Sequence, residues 1–221
     1  MSGNTALENN VVSIAGKVVA NPEFSHEVYG EGFYITYVQV PRLSDTYDNI
    51  PVMFSERLVS PENIYEGVYI IVEGQFRSYN NFNNNSGHKL MLTVFAREIE
   101  VNQEEVNVKN PNQISLNGFI CRKPMYRTTP FGREIADILL AVNRAYNKSD
   151  YIPCIAWGRN ARFAGTFEIG DNIRIWGRIQ SRAYQKKLPD GQVVDRVAYE
   201  VSVSKLEVVK ENNNKKDEKG D

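Results

Sequence analysis

The sequence predicts an all-β protein made of two tandem five-stranded barrels, on two observations. The first is that runs rich in β-branched and aromatic residues alternate with breaks rich in Gly, Pro, Asn and Asp. The second is an internal repeat, in which Ser-Ile-Ala-Gly (13–16) matches Ser-Leu-Asn-Gly (115–118) and Ile50-Pro51 matches Ile152-Pro153. The spacing between matching residues grows slowly along the chain, which indicates a duplication with insertions in the loops.

Each copy predicts the same order of elements. The predicted strands lie near residues 10–19, 33–42, 48–54, 67–79 and 88–101 in copy one, and near 114–122, 133–144, 151–157, 171–184 and 196–209 in copy two. At most one short helix fits between the third and fourth strands; in copy two Asn160 would cap it and Gly165 would end it. This pattern is typical of the OB-fold, with Gly74 and Gly177 where a long strand must bend.

The breaks in these patterns predict the domain boundaries. We expect an N-terminal extension at 1–9, barrel 1 at 10–101, a polar linker at 102–113, barrel 2 at 114–209 and a disordered, charge-balanced tail at 210–221. The polar segment from Asn80 to Gly87 is predicted to be a mobile loop, and its counterpart at 185–191 carries two lysines and a Pro-Asp-Gly turn.

Composition excludes several classes of protein. The 221 residues contain no apolar run near the ~20 residues that a membrane helix needs, and the first residues lack the basic and apolar regions of a signal peptide. The two cysteines, Cys121 and Cys154, lie in apolar runs without metal-ligand spacing. We therefore expect free core thiols in a cytoplasmic protein.

The two copies differ in charge. Residues 1–110 carry 7 Lys and Arg against 14 Asp and Glu, whereas residues 111–209 carry 15 against 9. The formal net charge of −1 therefore conceals one acidic half and one half basic enough to attract a phosphate backbone.

The basic charge of copy two is concentrated on one predicted strand face. From Asp171 to Tyr184 the residues alternate with a period of two, so that one face is apolar and the other is arginine-rich and aromatic. The apolar set is Ile173, Ile175, Gly177 and Ile179, and the other is Arg174, Trp176, Arg178, Gln180, Arg182 and Tyr184. Such a face suits a polyanion whose bases can stack on the rings.

Copy two resembles bacterial single-stranded-DNA-binding proteins over about 95 residues. The resemblance rests on Leu-Ala-Val-Asn-Arg (140–144), Asp-Tyr-Ile-Pro-Cys-Ile-Ala-Trp-Gly (150–158), Gly170-Asp171, the strand from Ile175 to Tyr184, and Asp190-Gly191. It implies stacking positions at Tyr146, Tyr151, Trp157 and Tyr184, and phosphate contacts at Arg144, Arg159, Arg178, Arg182 and Lys186. Trp176, Arg174 and Lys187 complete the candidate set.

Copy one keeps the strand pattern but loses most of these residues. Ser44, Asn49 and Ser55 replace the first three aromatic residues, and Ile71, Glu73 and Gln75 replace the Arg-x-Trp-x-Arg pattern. The remaining weaker candidates are Arg42, Arg77, Tyr79 and Phe82. Because copy one is acidic, we expect it to serve mainly as a scaffold or association domain.

Other interpretations stay open from the sequence. Trp157 would also suit a core position, Tyr146 and Tyr151 would also cover a turn, Trp176 would also suit a subunit contact, and the arginines would also suit a solvated surface. We expect no enzyme, cofactor or metal site, because no phosphate-binding glycine loop or Cys/His cluster is present. A protein-interaction module of the primosome type and a single-stranded RNA binder remain alternatives, since stacking does not distinguish DNA from RNA.

The resemblance also implies an assembly. Members of the family surround the strand with four OB-folds, so two in one chain imply a homodimer, with a monomer as the alternative. The sequence ends in Lys-Lys-Asp-Glu-Lys-Gly-Asp (215–221) and lacks the family's typical acidic C-terminal tip, so the resemblance does not extend to recruitment of replication or repair proteins through such a tip.

Overall fold

The computed structural model describes residues 8–83, 87–188 and 191–209, with the side chains of 80–83 and 87–90 left out. It contains ten strands: β1 (Asn10–Val28), β2 (Glu31–Pro41), β3 (Tyr47–Ser55), β4 (Tyr69–Asn83), β5 (Gly87–Asn102), β6 (Asn112–Thr128), β7 (Glu134–Asn143), β8 (Ser149–Trp157), β9 (Asn172–Lys187) and β10 (Val193–Val208). Helix α1 spans Arg159–Ala164, and single 3-10 turns span Pro61–Asn63 and Ala145–Asn147. All ten predicted strands are therefore present.

The strand pairings close two five-stranded barrels. In barrel 1, β1 pairs with β2 and β4, β2 with β3, β3 with β5 in parallel, and β5 with β4. Strands β6 to β10 repeat the same pairings in barrel 2. Strands β1 and β6 join the barrels as an antiparallel pair, with Asn10 opposite Leu116 and Ile14 opposite Asn112.

Each barrel is filled by the apolar face of its own strands. Ile14, Ile50, Ile70 and Phe76 are among the fully buried residues of barrel 1. In barrel 2 they correspond to Leu116, Ile152, Ile173 and Ile179. Successive residues of a strand point to opposite faces, and only the face toward the barrel interior is buried. The apolar residues of these strands therefore recur with a period of two.

One asparagine at the start of each barrel makes the same pair of hydrogen bonds. The Asn10 amide donates to Phe76 O (2.8 Å) and accepts from Phe76 N (2.9 Å), and Asn112 makes the same pair of bonds with Ile179 at 2.7 and 2.8 Å. These side chains satisfy backbone groups of a neighbouring strand that would otherwise be unpaired. At the ends of the segments predicted as 1–9 and 102–113, Asn9 bonds to barrel 2, and Asn112 and Gln113 belong to β6.

The strands are longer than predicted at four hairpins. Strand β1 runs to Val28 and β6 to Thr128, and both pair with the following strand across segments that lack strong apolar alternation. The loop predicted at 80–87 is also largely a hairpin, with backbone pairing out to Asn83 and Gly87, and Lys186 and Lys187 lie on β9. In the β1–β2, β6–β7 and β9–β10 hairpins the outer side chains are mostly exposed, so the backbone ladder extends these strands without burial in a core.

Each barrel has one short helical element between its third and fourth strands, as predicted, but the predicted cap of α1 is wrong. Barrel 1 has only the 3-10 turn between β3 and β4, and barrel 2 has an additional 3-10 turn before β8. Helix α1 is preceded by Gly158 and has no side-chain cap, because the Asn160 amide donates instead to Ser204 O at 3.0 Å. Gly165 ends the helix as expected, with its N–H on Ala161 O at 2.9 Å. The predicted disordered tail, 210–221, lies outside the described residues.

No helix in the described part of the chain is long and apolar enough to span a membrane. The two cysteines are free, and burial raises the pKa of the Cys154 thiol far above its usual value.

The bends at Gly74 and Gly177 lead to a stability prediction. A Cβ on Gly177 would lie 2.1 Å from Ser202 O, so Gly177→Ala is expected to lower the free energy of unfolding by about 1–3 kcal/mol. Gly165→Ala is the control, since its Cβ would meet no atom closer than 3.4 Å. Urea unfolding of both variants measures the difference, and equal stability of the two would contradict the close approach.

Candidate functional site

Strand β8 presents exposed aromatic rings opposite a buried face. Ile152, Cys154 and Ala156 point into barrel 2 and are essentially inaccessible. Tyr151 and Trp157 point outward and are 48% and 38% exposed. Trp157 is therefore not a core residue, and the two rings are available for contact with a planar ligand.

Strand β9 continues this surface as a basic hairpin. Ile173, Ile175 and Ile179 are fully buried, which confirms the predicted alternation. Beyond Ser181 the strand carries exposed side chains on both faces and pairs only with β10, where Ala198 lies opposite Arg182 and Arg196 opposite Tyr184. The exposed members are Arg182, Tyr184, Lys186 and Lys187. The Arg182 guanidinium lies 5.9 Å from the centre of the Tyr184 ring, and that ring is 38% exposed.

The turn between β7 and β8 exposes one more ring. Tyr146 has a left-handed backbone with φ of 61°, and its side chain is 93% exposed. A left-handed conformation is unfavourable for a residue with a Cβ. The turn is closed by a hydrogen bond from Arg144 N to Lys148 O at 2.7 Å. Tyr146 therefore does not cover the turn.

The register across barrel 2 brings most of these residues to one surface. Ile155 of β8 lies opposite Ser202 of β10, and Ser202 lies opposite Arg178 of β9. Strand β8 runs parallel to β10, and β9 runs antiparallel to both. Residues before Ile155 on β8 and residues after Arg178 on β9 therefore lie toward the same end of the sheet, and Tyr151 and Arg182 are such residues. Arg159, the first residue of α1, is exposed just beyond Trp157.

A buried carboxylate of barrel 1 holds the base of the β9 hairpin. Asp48 is fully buried and accepts hydrogen bonds from Ser181 N (2.6 Å) and Ser181 Oγ (3.0 Å). Arg42 donates to both carboxylate oxygens, through Nε to Oδ2 at 2.7 Å, and also to Ser181 O at 2.9 Å. Arg178 of barrel 2 donates to Oδ2 at 3.3 Å. The acidic barrel thus fixes the strand from which Arg182 and Tyr184 project.

The equivalent carboxylate of barrel 2 makes a reciprocal contact. Asp150 is also fully buried and accepts from Ser78 N (2.8 Å) and Ser78 Oγ (3.2 Å) of barrel 1. Arg144 donates to Oδ1 at 3.2 Å, and Tyr151 N donates to Ser78 Oγ at 2.9 Å. Each barrel therefore inserts an aspartate beside a serine of the other.

These contacts give three predicted phosphate ligands a structural role. Arg42, Arg144 and Arg178 each pair with a buried aspartate at the junction of the barrels. Burial lowers the pKa of Arg178, with Asp48 opposing that effect. Sequence reasoning missed both aspartates, although the repeated pattern of Asp48-Asn-Ile-Pro51 and Asp150-Tyr-Ile-Pro153 was a signal for them.

Trp176 and Arg174 lie on the part of barrel 2 where β9 pairs with β6. Trp176 is opposite Ser115 of β6 and Lys205 of β10, and Lys205 Nζ lies 4.3 Å from the ring centre. The Arg174 guanidinium lies 5.9 Å from the same ring. The ring is therefore already partly covered by cationic side chains, unlike that of Trp157.

Two of the weaker candidates of barrel 1 lie beside the junction. The Arg77 guanidinium lies 3.8 Å from the centre of the Phe95 ring, and Tyr79 is partly buried with a pKa raised by that burial. The side chain of Phe82 is outside the described residues.

Comparison with known proteins agrees with this architecture. A model of the single-strand binding protein family matches residues 111–209. The single-stranded DNA-binding protein B of Bacillus subtilis (strain 168) is 31% identical over 83 residues, which are 34% of this chain and 74% of that protein. The single-stranded DNA-binding protein 1 of Staphylococcus aureus (strain COL) is 34% identical over 83 residues, and the chain spans only 50% of its length.

A solved structure extends the likeness to both barrels. The wild-type single-stranded DNA binding protein from Thermus aquaticus aligns over 94% of this chain and 96% of its own, with a TM-score of 0.73 and 20% identity. At this identity the match establishes the fold alone. Together with the family model and the Bacillus subtilis relative, the two-barrel architecture leads to one conclusion: the chain belongs to the single-strand binding protein family.

Proposed function

We propose that the protein binds single-stranded DNA with little sequence preference and protects exposed strands during replication, repair or recombination. The observation that carries this proposal is the set of solvent-exposed rings on barrel 2, namely Tyr146, Tyr151, Trp157 and Tyr184. Every base offers a π-face, so stacking worth about 1–3 kcal/mol per base needs no particular sequence.

The cations around these rings supply the contacts to phosphate. Arg159, Arg182, Lys186 and Lys187 are exposed and lie beside the aromatic surface. Each neutralised phosphate releases counterions, so affinity should fall steeply with salt. Arg144 and Arg178 contribute positive charge at the edge of this surface. Arg178 also joins the barrels through Asp48, whereas Arg144 pairs with Asp150 of its own barrel.

A competition assay tests the proposal against its alternatives. Fluorescence anisotropy of a labelled dT oligonucleotide should report displacement by unlabelled single-stranded DNA of mixed sequence, and much weaker displacement by duplex DNA. Stronger displacement by a matched RNA would favour the RNA-binding alternative. Failure of every nucleic acid to bind would favour a protein-interaction module.

Arg182→Ala is expected to weaken binding at low salt and to reduce the slope of log affinity against log salt by about 1. The reason is that Arg182 is exposed beside Tyr184 on the hairpin and would neutralise one phosphate. Arg57→Ala is the matched control, because Arg57 is an exposed arginine that pairs with Glu31 in barrel 1. Titrations at several salt concentrations measure both slopes, and an unchanged slope in Arg182→Ala would rule out this contact.

We further propose that two chains associate, which would bring four barrels together. Charge complementarity supports this assembly. Exposed Glu73, Glu98 and Glu100 lie on paired positions of β4 and β5, while Arg174 and Lys205 lie on β9 and β10. A two-fold arrangement would place the acidic surface of one chain on the basic surface of the other. Light scattering should give twice the chain mass, falling toward one chain mass in high salt; a monomer at all concentrations would contradict the proposal.

A further inference from the structure

Asp48 and Asp150 occupy equivalent positions of the internal repeat, and both lie at the barrel junction. The strands that they contact differ, because a glutamine and an arginine have exchanged places. In barrel 2, Arg178 reaches Asp48 and its guanidinium also donates to Gln180 at 3.3 Å. In barrel 1 the order is inverted, with Gln75 at the position of Arg178 and Arg77 at that of Gln180. The arginine is therefore displaced by two residues along the strand, to the position next to Ser78, and it bonds to Gln75 rather than to Asp150.

This exchange leaves Asp150 incompletely paired. Both oxygens of Asp48 accept hydrogen bonds, whereas Oδ2 of Asp150 has no partner among the described residues although Asp150 is fully buried. A buried carboxylate oxygen without a donor is costly in a folded protein. The hydrogen bonding of Asp150 is therefore less complete than that of Asp48.

The displaced arginine lies instead over an aromatic ring. Arg77 donates to Gln75 Oε1 at 2.9 and 3.2 Å, and its guanidinium carbon is 3.8 Å from the centre of the Phe95 ring. Phe95 lies opposite Gln75, and the corresponding position in barrel 2 is Ser202, opposite Arg178. The combination of an arginine stacked on an aromatic ring is thus absent at this position of barrel 2.

A cavity of about 350 Å³ opens between the barrels at this point. Phe95, Arg77, Tyr79, Met53 and His26 of barrel 1 line it, together with Arg144 of barrel 2. Burial and the nearby Arg144 lower the pKa of Arg77 to about 10, while Asp150 opposes that effect. Two guanidinium groups therefore share a partly enclosed space in which an added anion would be stabilised.

We propose that this junction cavity binds one nucleotide of a single strand held on barrel 2, with the base stacked on Phe95 in place of Arg77 and the phosphate paired with Arg77 and Arg144. The proposal rests on the proposed function and assigns barrel 1 a direct contact with the strand. The guanidinium released from Phe95 would pair with the incoming phosphate, and Asp150 is near enough to act on its charge. Adjacent strands already link the two surfaces, since Tyr151 N bonds to Ser78 Oγ beside the cavity.

Phe95→Leu and Phe95→Ala test the stacking contact in the full-length chain. Leucine keeps most of the apolar volume but removes the π-face, so both variants should weaken binding of a long dT oligonucleotide of about 30 residues by about tenfold. A short oligonucleotide of about 8 residues, within the range that one OB-fold holds, should bind both variants as it binds the wild type. Arg77→Gln should reduce the salt slope for the long oligonucleotide, and Arg57→Gln, an exposed arginine of the same barrel, should not.

Comparing the two Phe95 variants at both oligonucleotide lengths distinguishes stacking in the cavity from a loss of packing. Weaker binding of only the long oligonucleotide by both Phe95 variants supports the cavity contact. No effect of either variant at any length overturns it, and so does a loss confined to Phe95→Ala, because that result would reflect packing rather than stacking. If the wild type binds neither oligonucleotide, the proposed function itself fails, which is distinguishable from failure of the cavity contact alone.

Discussion

Asp48→Ala is expected to lower the free energy of unfolding by about 3–5 kcal/mol, the cost typical of breaking a buried ion pair from one side. The substitution would leave Arg42, Arg178 and the backbone N–H of Ser181 without their shared acceptor at the junction of the barrels. Because Arg178 and Ser181 belong to β9, the loss should also loosen the hairpin that carries Arg182 and Tyr184.

Urea unfolding and oligonucleotide titration of the same variant separate these two effects. Asp195→Ala is the matched control, since Asp195 is exposed and accepts a hydrogen bond from the equally exposed Gln185 at 3.2 Å. Its stability should stay within about 0.5 kcal/mol of the wild type. If Asp48→Ala were as stable as this control, the junction would not depend on the buried carboxylate.

The second large effect concerns the exposed rings of barrel 2. Trp157→Ala and Tyr184→Ala should each weaken binding of single-stranded DNA by about 1–3 kcal/mol, roughly 5- to 150-fold, without abolishing it. Both rings are 38% exposed, so their removal should change stability far less than affinity.

Tyr65→Ala controls for the loss of a partly exposed ring outside the surface. Tyr65 lies in barrel 1, is 42% exposed and donates its hydroxyl hydrogen bond to Gln103. It should bind oligonucleotides with wild-type affinity. Equal affinities for all three variants would mean that the aromatic surface of barrel 2 is not the binding site.

The barrels were predictable because their core residues are local in sequence. The alternation at Ile173, Ile175 and Ile179 depends only on which face of one strand is buried, and the internal repeat confirmed each strand in a second copy. The exposed rings Tyr151 and Trp157 were predictable for the same reason, because they occupy the opposite face of β8 from Ile152, Cys154 and Ala156.

The junction between the barrels was not predictable in the same way. The role of Arg178 depends on Asp48, which lies 130 residues away in the chain. The role of Arg144 depends on Asp150, which also binds Ser78 of barrel 1. Periodicity marks a residue as outward-facing but cannot distinguish an arginine that faces solvent from one that faces the other barrel. The cavity beside Phe95 depends on the same packing of two copies, together with an exchange of Gln and Arg that only the paired strands reveal.

The location of the binding surface is tested most directly by tryptophan fluorescence during titration with poly-dT. Trp157 is the open ring of the proposed surface, whereas Trp176 is partly covered by Lys205 and Arg174. We predict that poly-dT quenches the wild type and Trp176→Phe, and that the quenching is largely lost in Trp157→Phe, which should still bind because phenylalanine can stack. Quenching that persists in Trp157→Phe and disappears in Trp176→Phe would contradict the assignment of the site to the exposed face of β8.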